Sequence, residues 1–438
     1  MERYETYKDS GVEWIGEIPD GWKVKQIKRL SIVRRGASPR PIADPKYFDN
    51  EGEYAWVRIA DVSASERYLE NSTQTLSELG SSLSVKMQPD NIFLSIAGTV
   101  GKPIITKIKC CIHDGFVYFP NLKINPEYLY FIFSTGLPYQ GLGKWGTQLN
   151  LNTDTVGEIT IPLPTTNEIT AIVSYLDSKT AEIDALIAQK QRLIELYQEE
   201  KAAIINQAVT QGIDPNAPLK DSGIDWLGEI PDGWEVLPLR RLTIFVKTGG
   251  TPSGAEEHHF EVEGYNWYSP GDFSEAVYLG LSKRSLSATG KEHVYIFPKM
   301  TVMMVGIGAT IGKVGLSEME SSCNQQINAI GCNDKINPVF AAYYLKTMRD
   351  FIVKCGKFTT LPIINQDETK SLMVTVPSRE EQTAIVQHID TETARINAKI
   401  AKTKRIIELQ KEYRTALISE VVTGKIKVSH LAVKEVTL

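Results

Sequence analysis

The chain has 438 residues, 42% hydrophobic and 23% charged, with a formal net charge of −5. These are the fractions of an ordinary globular protein of about two to four domains. The net charge does not announce a nucleic-acid binder, no apolar run is long enough to span a membrane, and Met1-Glu2-Arg3-Tyr4 opens no signal peptide.

In chain order, residues 1–22 form an ordered connector. Its stretch from Lys8 to Trp22 is punctuated by Gly and Pro and carries two Trp anchors. It returns nearly unchanged from Lys220 to Trp234. The chain is therefore a tandem repeat with a period of roughly 212 residues, a duplicated domain rather than a solenoid.

Residues 23–165 change character. Lys23, Lys25, Lys28, Arg29, Arg34, Arg35 and Arg40 follow one another with no acid between them. Such a patch meets phosphates, and a solvated basic face accounts for it equally. β-Branched and aromatic runs at 54–59, 91–96, 103–106 and 115–119 read as short strands. Asn125 and Pro126 open a helix over 126–134 as N-cap and first helical residue.

Residues 166–212 read as one helix of ~40 residues, hence ~60 Å long. Pro164 closes off the segment before it, and Thr165 with Glu168 fits a capping box. Val173, Leu176, Thr180, Ile183, Ile187, Lys190, Ile194, Tyr197, Lys201 and Ile204 recur at spacings of three and four, a heptad seam. Ile172, Leu186 and Leu193 broaden the stripe, enough for more than one neighbour.

The second copy repeats the order: connector 213–234, a head over 235–378 with strands near 266–269 and 302–307 and a helix over 338–348, then a long helix over 379–425 and a tail over 426–438. Ser378 and Glu381 fit a second capping box after Pro377. Val386, Ile389, Thr393, Ile396, Ile400, Thr403 and Ile407 fall in the register of the first seam, with Ile385 and Ile406 beside it. The matched registers predict that the helices pair. Helix 379–425 should stand to connector 1–22 as helix 166–212 stands to connector 213–234, with the long helices antiparallel. Frame and helices are kept between the copies while the heads diverge, as in His113-Asp114-Gly115-Phe116 against Gln325-Gln326-Ile327-Asn328.

Motifs with catalytic potential do not hold up. Ile96 to Lys102 and Ile307 to Lys313 approach a phosphate-binding loop, but the glycine spacing fails and no Ser or Thr follows the Lys. A tight turn fits better, with the Lys able to meet a phosphate oxygen. Asn125-Pro126-Glu127-Tyr128 and Asn337-Pro338-Val339-Phe340 partly match the Asn-Pro-Pro-Tyr/Phe signature of amino-methyltransferases, but the second Pro is missing and no Gly-rich cofactor loop follows a strand. The six His form no ligand cluster, and no nucleophile–base pair repeats. Cys110, Cys111, Cys323, Cys332 and Cys355 are odd in number and lack C-x-x-C spacing, so they read as reduced core thiols of a cytoplasmic protein. No catalytic residue and no metal site is expected.

The S-G-[VI]-[ED]-W-[IL]-G-E-I-P-D-G-W connector in both copies, the run from Tyr54 to Asp61, and the Pro-x-x-x-Glu helix entries at Pro164–Glu168 and Pro377–Glu381 carry a resemblance. The chain resembles the specificity subunit of type I restriction-modification systems over essentially its full length. It departs modestly: Ile169 stands where Gln382 has the family's usual Gln, and the second head lacks the Val-Arg-Ile-Ala-Asp run. The resemblance implies an α+β fold, with two globular α/β target recognition domains joined by two long antiparallel coiled-coil helices in a pseudo-twofold tandem repeat. It implies that each head reads one half of a split, asymmetric site on double-stranded DNA. The helices would be spacer and docking platform for two methyltransferase subunits, and restriction/translocase subunits would join them. This chain would bind no cofactor; S-adenosylmethionine, ATP and Mg would sit on the partners.

Base edges are read by Arg, Lys, Asn and Gln, and phosphates by Lys, Arg, Ser, Thr and backbone N–H. On that basis the candidate DNA contacts are Arg34, Arg35, Arg58, Lys102, Lys144 and Gln148 in the first head and Lys247, Thr248, Lys313, Lys357 and Thr359 in the second. Candidate helix-pairing residues are Val173, Leu176, Ile183, Ile187, Ile194, Tyr197, Val386, Ile389, Ile396, Ile400 and Ile407. Two rivals remain open from sequence: a single-chain DNA methyltransferase, which would bind S-adenosylmethionine alone, and a coiled-coil scaffold without DNA affinity.

Overall fold

The computed structural model describes residues 2–140, 142, 151–252, 257–355, 357–358 and 362–428. Four helices organise the chain: α1 (Pro126–Ser134), α2 (Thr166–Gln211), α3 (Pro338–Thr347) and α4 (Arg379–Val422). The chain divides into two compact units. Unit 1 comprises Met1–Lys190 with Arg405–Leu438, and unit 2 comprises Gln191–Lys404. Each unit is thus a head, a connector, the first part of one long helix and the last part of the other.

In unit 1 the head is two small sheets. One runs Arg34–Arg35, Phe116–Tyr118, Ile92–Ser95, Pro103–Thr106, Tyr68–Leu69, and the other Thr75–Leu76, Tyr54–Val57, Cys110–Ile112, Val85–Met87. The expected strands near 54, 92, 103 and 116 are all present. The first ends at Val57, because Arg58 and Asp61 cap the short helix Ile59–Ala64. The loop at 96–102 is a tight turn with Gly98 and Gly101 at positive φ.

Unit 2 repeats the plan. Thr243–Thr248, Ile327–Cys332, Thr301–Val305 and Val314–Ser317 make one sheet, and Phe260–Glu261, Ser285–Leu286, Tyr265–Tyr268 and Ser321–Cys323 the other. Two edge strands of unit 1 shrink here to single bridges, Tyr278 with Leu316 and Phe297 with Ser321. Asn125 and Asn337 cap α1 and α3 through the N–H groups of Glu127 and Val339, with Pro at the first turn.

The connector of each unit locks onto two helix ends. In unit 1, Ile15, Ile18 and Trp22 share a core with Ile172 and Leu176 of α2 and with Leu417, Ile418 and Val421 of α4. The Trp22 indole N–H donates to Glu168 Oε1 at 3.0 Å. Gly424 closes α4 at φ +75, and an added Cβ there would lie 2.5 Å from Pro19 Cδ, so only glycine fits this left-handed cap. In unit 2, Trp234 donates to Glu381 Oε1 at 2.9 Å, and its ring lies 3.3 Å from a Cβ built on Gly212, at φ +79. Last-turn carbonyls, which have no partner inside a helix, find one nearby. Tyr128 Oη donates to Val422 O at 3.2 Å, and Thr375 Oγ1 to Val209 O at 2.7 Å.

Glu168 also completes its capping box, accepting from Thr165 N–H at 2.9 Å while its own N–H reaches Thr165 Oγ1 at 3.3 Å. Burial raises its pKa, but hydrogen bonds from Trp22, Thr165 and Tyr4 outweigh that and hold it below the ordinary glutamate value. A depressed carboxyl pKa adds stability that is present above the unfolded value of about 4.3 and lost as pH falls through the folded one. Protection of the amides over the first turns of α2, taken relative to their intrinsic exchange rates, should therefore fall below about pH 4. Glu168→Gln should flatten that pH dependence; an unchanged pH profile in this variant would refute the role.

Within each unit the long-helix segments run antiparallel. Asp184 pairs with Arg414 at 3.0 Å in unit 1. In unit 2, Lys201 bonds Asn397 at 3.1 Å and Arg395 lies 3.5 Å from Glu200. Leu176, Ile183, Ile389, Ile396 and Ile407 are buried. Val173, Ile187, Ile194, Tyr197, Val386 and Ile400 are half-buried. Near the helix starts the buried stripe turns toward Ile172 and Ile385, because there each helix packs on its own head as well as on its partner helix. That second neighbour uses the extra width of the stripe. Burial pushes the Cys110, Cys323 and Cys332 thiols up to about 12 and Cys111 to about 11, so Cys110, Cys111 and Cys323 are inert core thiols and Cys332 is half-buried against the core. The Cys355 side chain lies outside the described residues. Among the described residues no helix is long and apolar enough to cross a membrane.

Candidate nucleic-acid interface

Each head carries a pair of facing loops, termed its tip, bolted together by backbone. In unit 1, strand Arg34–Arg35 runs into loop 36–40, and loop 113–115 joins Cys110–Ile112 to Phe116–Tyr118. Gly36 N–H donates to Phe116 O at 2.9 Å and Ala37 N–H to Ile112 O at 3.1 Å. A Cβ on Gly36 would lie 2.2 Å from His113 O, so the approach requires glycine. Asp114 gathers the surrounding side chains. Its carboxylate accepts from Ser38 Oγ at 3.2 Å and from Arg40 Nη2 at 3.3 Å, and its carbonyl accepts from Arg35 Nε. His113 packs its ring 4.5 Å from Phe116 and accepts from Gly115 N–H at 2.8 Å. Burial holds its pKa below the ordinary value despite Asp114 beside it. It acts as a neutral strut.

Unit 2 builds the same tip from other side chains. Gly249 N–H donates to Ile327 O at 3.0 Å and Gly250 N–H to Cys323 O at 2.9 Å. A Cβ on Gly249 would lie 2.2 Å from Cys323 O. Thr251 Oγ1 donates to Gln325 Oε1 at 2.7 Å. Asn324 holds Gln326 twice, accepting its N–H at 3.0 Å and donating to its Oε1 at 3.1 Å. The indole of Trp267 fixes the first loop through Gly250 O at 2.9 Å.

The candidate residues fall into groups around these tips. Arg34 and Arg35 are exposed on the strand that enters the unit 1 tip. Arg58 and Lys102 flank the short helix Ile59–Ala64 instead. Arg58 lies 3.6 Å from Asp61 and also reaches Thr73, and Lys102 Nζ lies 3.2 Å from Ser63 O. Burial there holds the Lys102 pKa below the ordinary lysine value. In unit 2, Lys247 and Thr248 end the strand that enters the tip. The Lys247 ammonium sits 3.7 Å over the Tyr295 ring, and Thr248 Oγ1 bonds Asn328 at 2.9 Å. Lys313 is half-buried in the turn before Val314–Ser317, and Lys357 lies in strand Lys357–Phe358. Lys144, Gln148 and Thr359 lie outside the described residues. Sequence reasoning missed Ser38, Arg40, Asp114, Thr251 and Gln325 as a set. The available signal was the divergence of these loops within a repeating frame, although the backbone bonds set 113–116 against 324–327, one residue earlier than the sequence comparison with 325–328. Among the described residues no group of three His, Cys, Asp or Glu is arranged to hold a metal.

Two copies of the type I restriction modification DNA specificity domain match the chain, over residues 19–196 and 231–409. The chain belongs to that family. Among relatives, the type I restriction enzyme MjaIX specificity subunit of Methanocaldococcus jannaschii is 23% identical and covers 98% of each chain. The type I restriction enzyme EcoDI specificity subunit of Escherichia coli is 20% identical, over 92% of this chain and 90% of its own. A chain solved in a study of complex assembly and conformational transition of the type I R-M system superposes with a TM-score of 0.70 at 14% identity, over 93% of this chain and 99% of that one. The crystal structure of the HsdS subunit from Thermoanaerobacter tengcongensis gives 0.51 at 14% identity, over 93% and 98%. At such identity the two structures establish the fold, in agreement with the α+β tandem repeat with long helices read from sequence.

Proposed function

We propose that this chain is the non-catalytic DNA-recognition subunit of a type I restriction-modification complex, acting in the cytoplasm. Each unit reads one half of a split, asymmetric site on double-stranded DNA. The long helices carry two methyltransferase subunits, and restriction/translocase subunits join them. S-adenosylmethionine, ATP and Mg belong to those partners. One observation carries the reading above others: the two units keep connector, capped helix and loop-pair backbone, yet present different polar side chains at the same tip positions. A frame held constant around exchanged donors and acceptors is what reading two different base sequences demands.

Exchanging residues 25–163 for the corresponding head of another family member tests it. Sequencing methylated sites made with the partner methyltransferase should show one half-site changed and the other kept. A change in both halves, or no sequence preference in either complex, would overturn the proposal.

A further inference from the structure

We infer that the paired loops at the head tips are the base-reading elements, with Arg40 in unit 1 taking guanine and Gln325 in unit 2 taking adenine. The inference rests on the DNA-recognition reading above and deepens it to one base in each half-site.

Four observations support it. First, the tips are rigid where a reader must be. Gly36 and Gly249 allow backbone approaches of 2.2 Å to a virtual Cβ, and paired N–H···O bonds fix each loop to its neighbour. Second, the two tips correspond position by position. Ser38 and Thr251 each follow the fixed glycine by two residues and each bond a residue of the facing loop, Asp114 and Gln325.

Third, Arg40 is both oriented and exposed. Asp114 takes one of its N–H groups at 3.3 Å, while 80% of the side chain is open to solvent. A guanidinium has five donors in a planar fork, so a buttressed arginine keeps a pair for the O6 and N7 acceptors of guanine. Fourth, Gln325 is exposed and held by a hydroxyl that occupies one lone pair of its Oε1. The second lone pair and the amide N–H groups remain. That acceptor and donor match the N6 amino group and N7 of adenine. An arginine serving only as a phosphate clamp would need no carboxylate beside it, and Asp114 so close would weaken such a clamp.

The test is methylation of a site library, one position varied at a time, by the complex assembled with the parent chain or with Arg40→Ala, Gln325→Ala or Gln325→Glu. All three substitutions are at exposed positions. The parent should require guanine at one position of one half-site and adenine at one position of the other. Arg40→Ala should lower the guanine preference roughly 10- to 100-fold and leave the other half-site intact, and Gln325→Ala should do the same for adenine. Gln325→Glu should move the preference toward cytosine, whose N4 amino group donates to a carboxylate. Uniform weakening across all sequences would identify phosphate contacts and overturn the inference. So would unchanged base preferences, or both variants acting on one half-site. A parent complex with no sequence preference would refute the DNA-recognition reading, and this inference with it.

Discussion

Trp22→Ala is expected to destabilise unit 1 by about 3–5 kcal/mol, the range for truncating a buried tryptophan. The ring is 1% exposed, its N–H serves Glu168 at the start of α2, and its edge abuts the glycine that ends α4. Its removal therefore leaves a cavity, takes one of the two donors from Glu168 Oε1, and deprives two helix ends of their common wedge. Denaturant titration should show the loss, and amide exchange should accelerate over 166–176 and 417–424 together. Acceleration confined to the connector would mean that the indole fills space without joining the helices. Trp234→Ala should act likewise on unit 2, over the starting turns of α4 and the last turns of α2.

The second large effect is expected at Arg67. Its guanidinium donates to Glu127 Oε2 at 2.9 Å and to Asp177 Oδ1 at 2.5 Å. It also sits within 5.0 Å of the Tyr68, Tyr130 and Phe131 ring centres, with 16% of the side chain exposed. Burial opposes its charge, but the two carboxylates outweigh that and raise its pKa. Arg67→Ala removes the shared partner of two carboxylates, of which Asp177 is 45% exposed and Glu127 keeps the Tyr68 hydroxyl, and should destabilise by about 2–3 kcal/mol. The variant that combines Arg67→Met, Glu127→Gln and Asp177→Asn should recover much of the loss, because it restores volume and removes both uncompensated charges. A single substitution within about 1 kcal/mol of the parent, the range of an exposed ion pair, would show that the network is a solvated surface cluster.

What sequence could and could not reveal divides along the range of the interactions involved. Asn125 with Pro126, Thr165 with Glu168, and the turn glycines Gly98 and Gly101 are local devices. Their partners lie within a few residues, so spacing discloses them. Ser378 and Glu381 fit the same pattern, yet the Glu381 carboxylate turns to Trp234, far away in sequence. The heptad register located the long helices and their pairing, and the symmetry of the repeated connectors gave the antiparallel direction. It set Val173 and Val386 on the seam where Ile172 and Ile385 are more deeply buried, since the head competes with the partner helix for that face. The tips were illegible for the same reason. Arg40 meets Asp114 and Thr251 meets Gln325 only because sheets bring distant loops together, whereas a charge count favours any lysine in a turn. Lys102 shows the difference: it reads as a phosphate contact, and its ammonium faces the carbonyl of Ser63.

Asp177 and Asp390 hold equivalent places on α2 and α4, and each faces its own unit's head. Asp177 receives the guanidinium of Arg67, and Asp390 receives the Tyr343 hydroxyl at 2.6 Å. The partner is ionic in one and neutral in the other, but in both the head brings a donor. A head transplanted onto this frame, as in the exchange of residues 25–163, should bring such a donor too, a requirement that has nothing to do with DNA. Arg67 immediately precedes strand Tyr68–Leu69 and Tyr343 lies on α3, so the two heads supply the donor from different elements. A head that set an acid against either carboxylate would meet a like charge instead. Seating on the helix is thus a constraint on each head separate from the bases it meets.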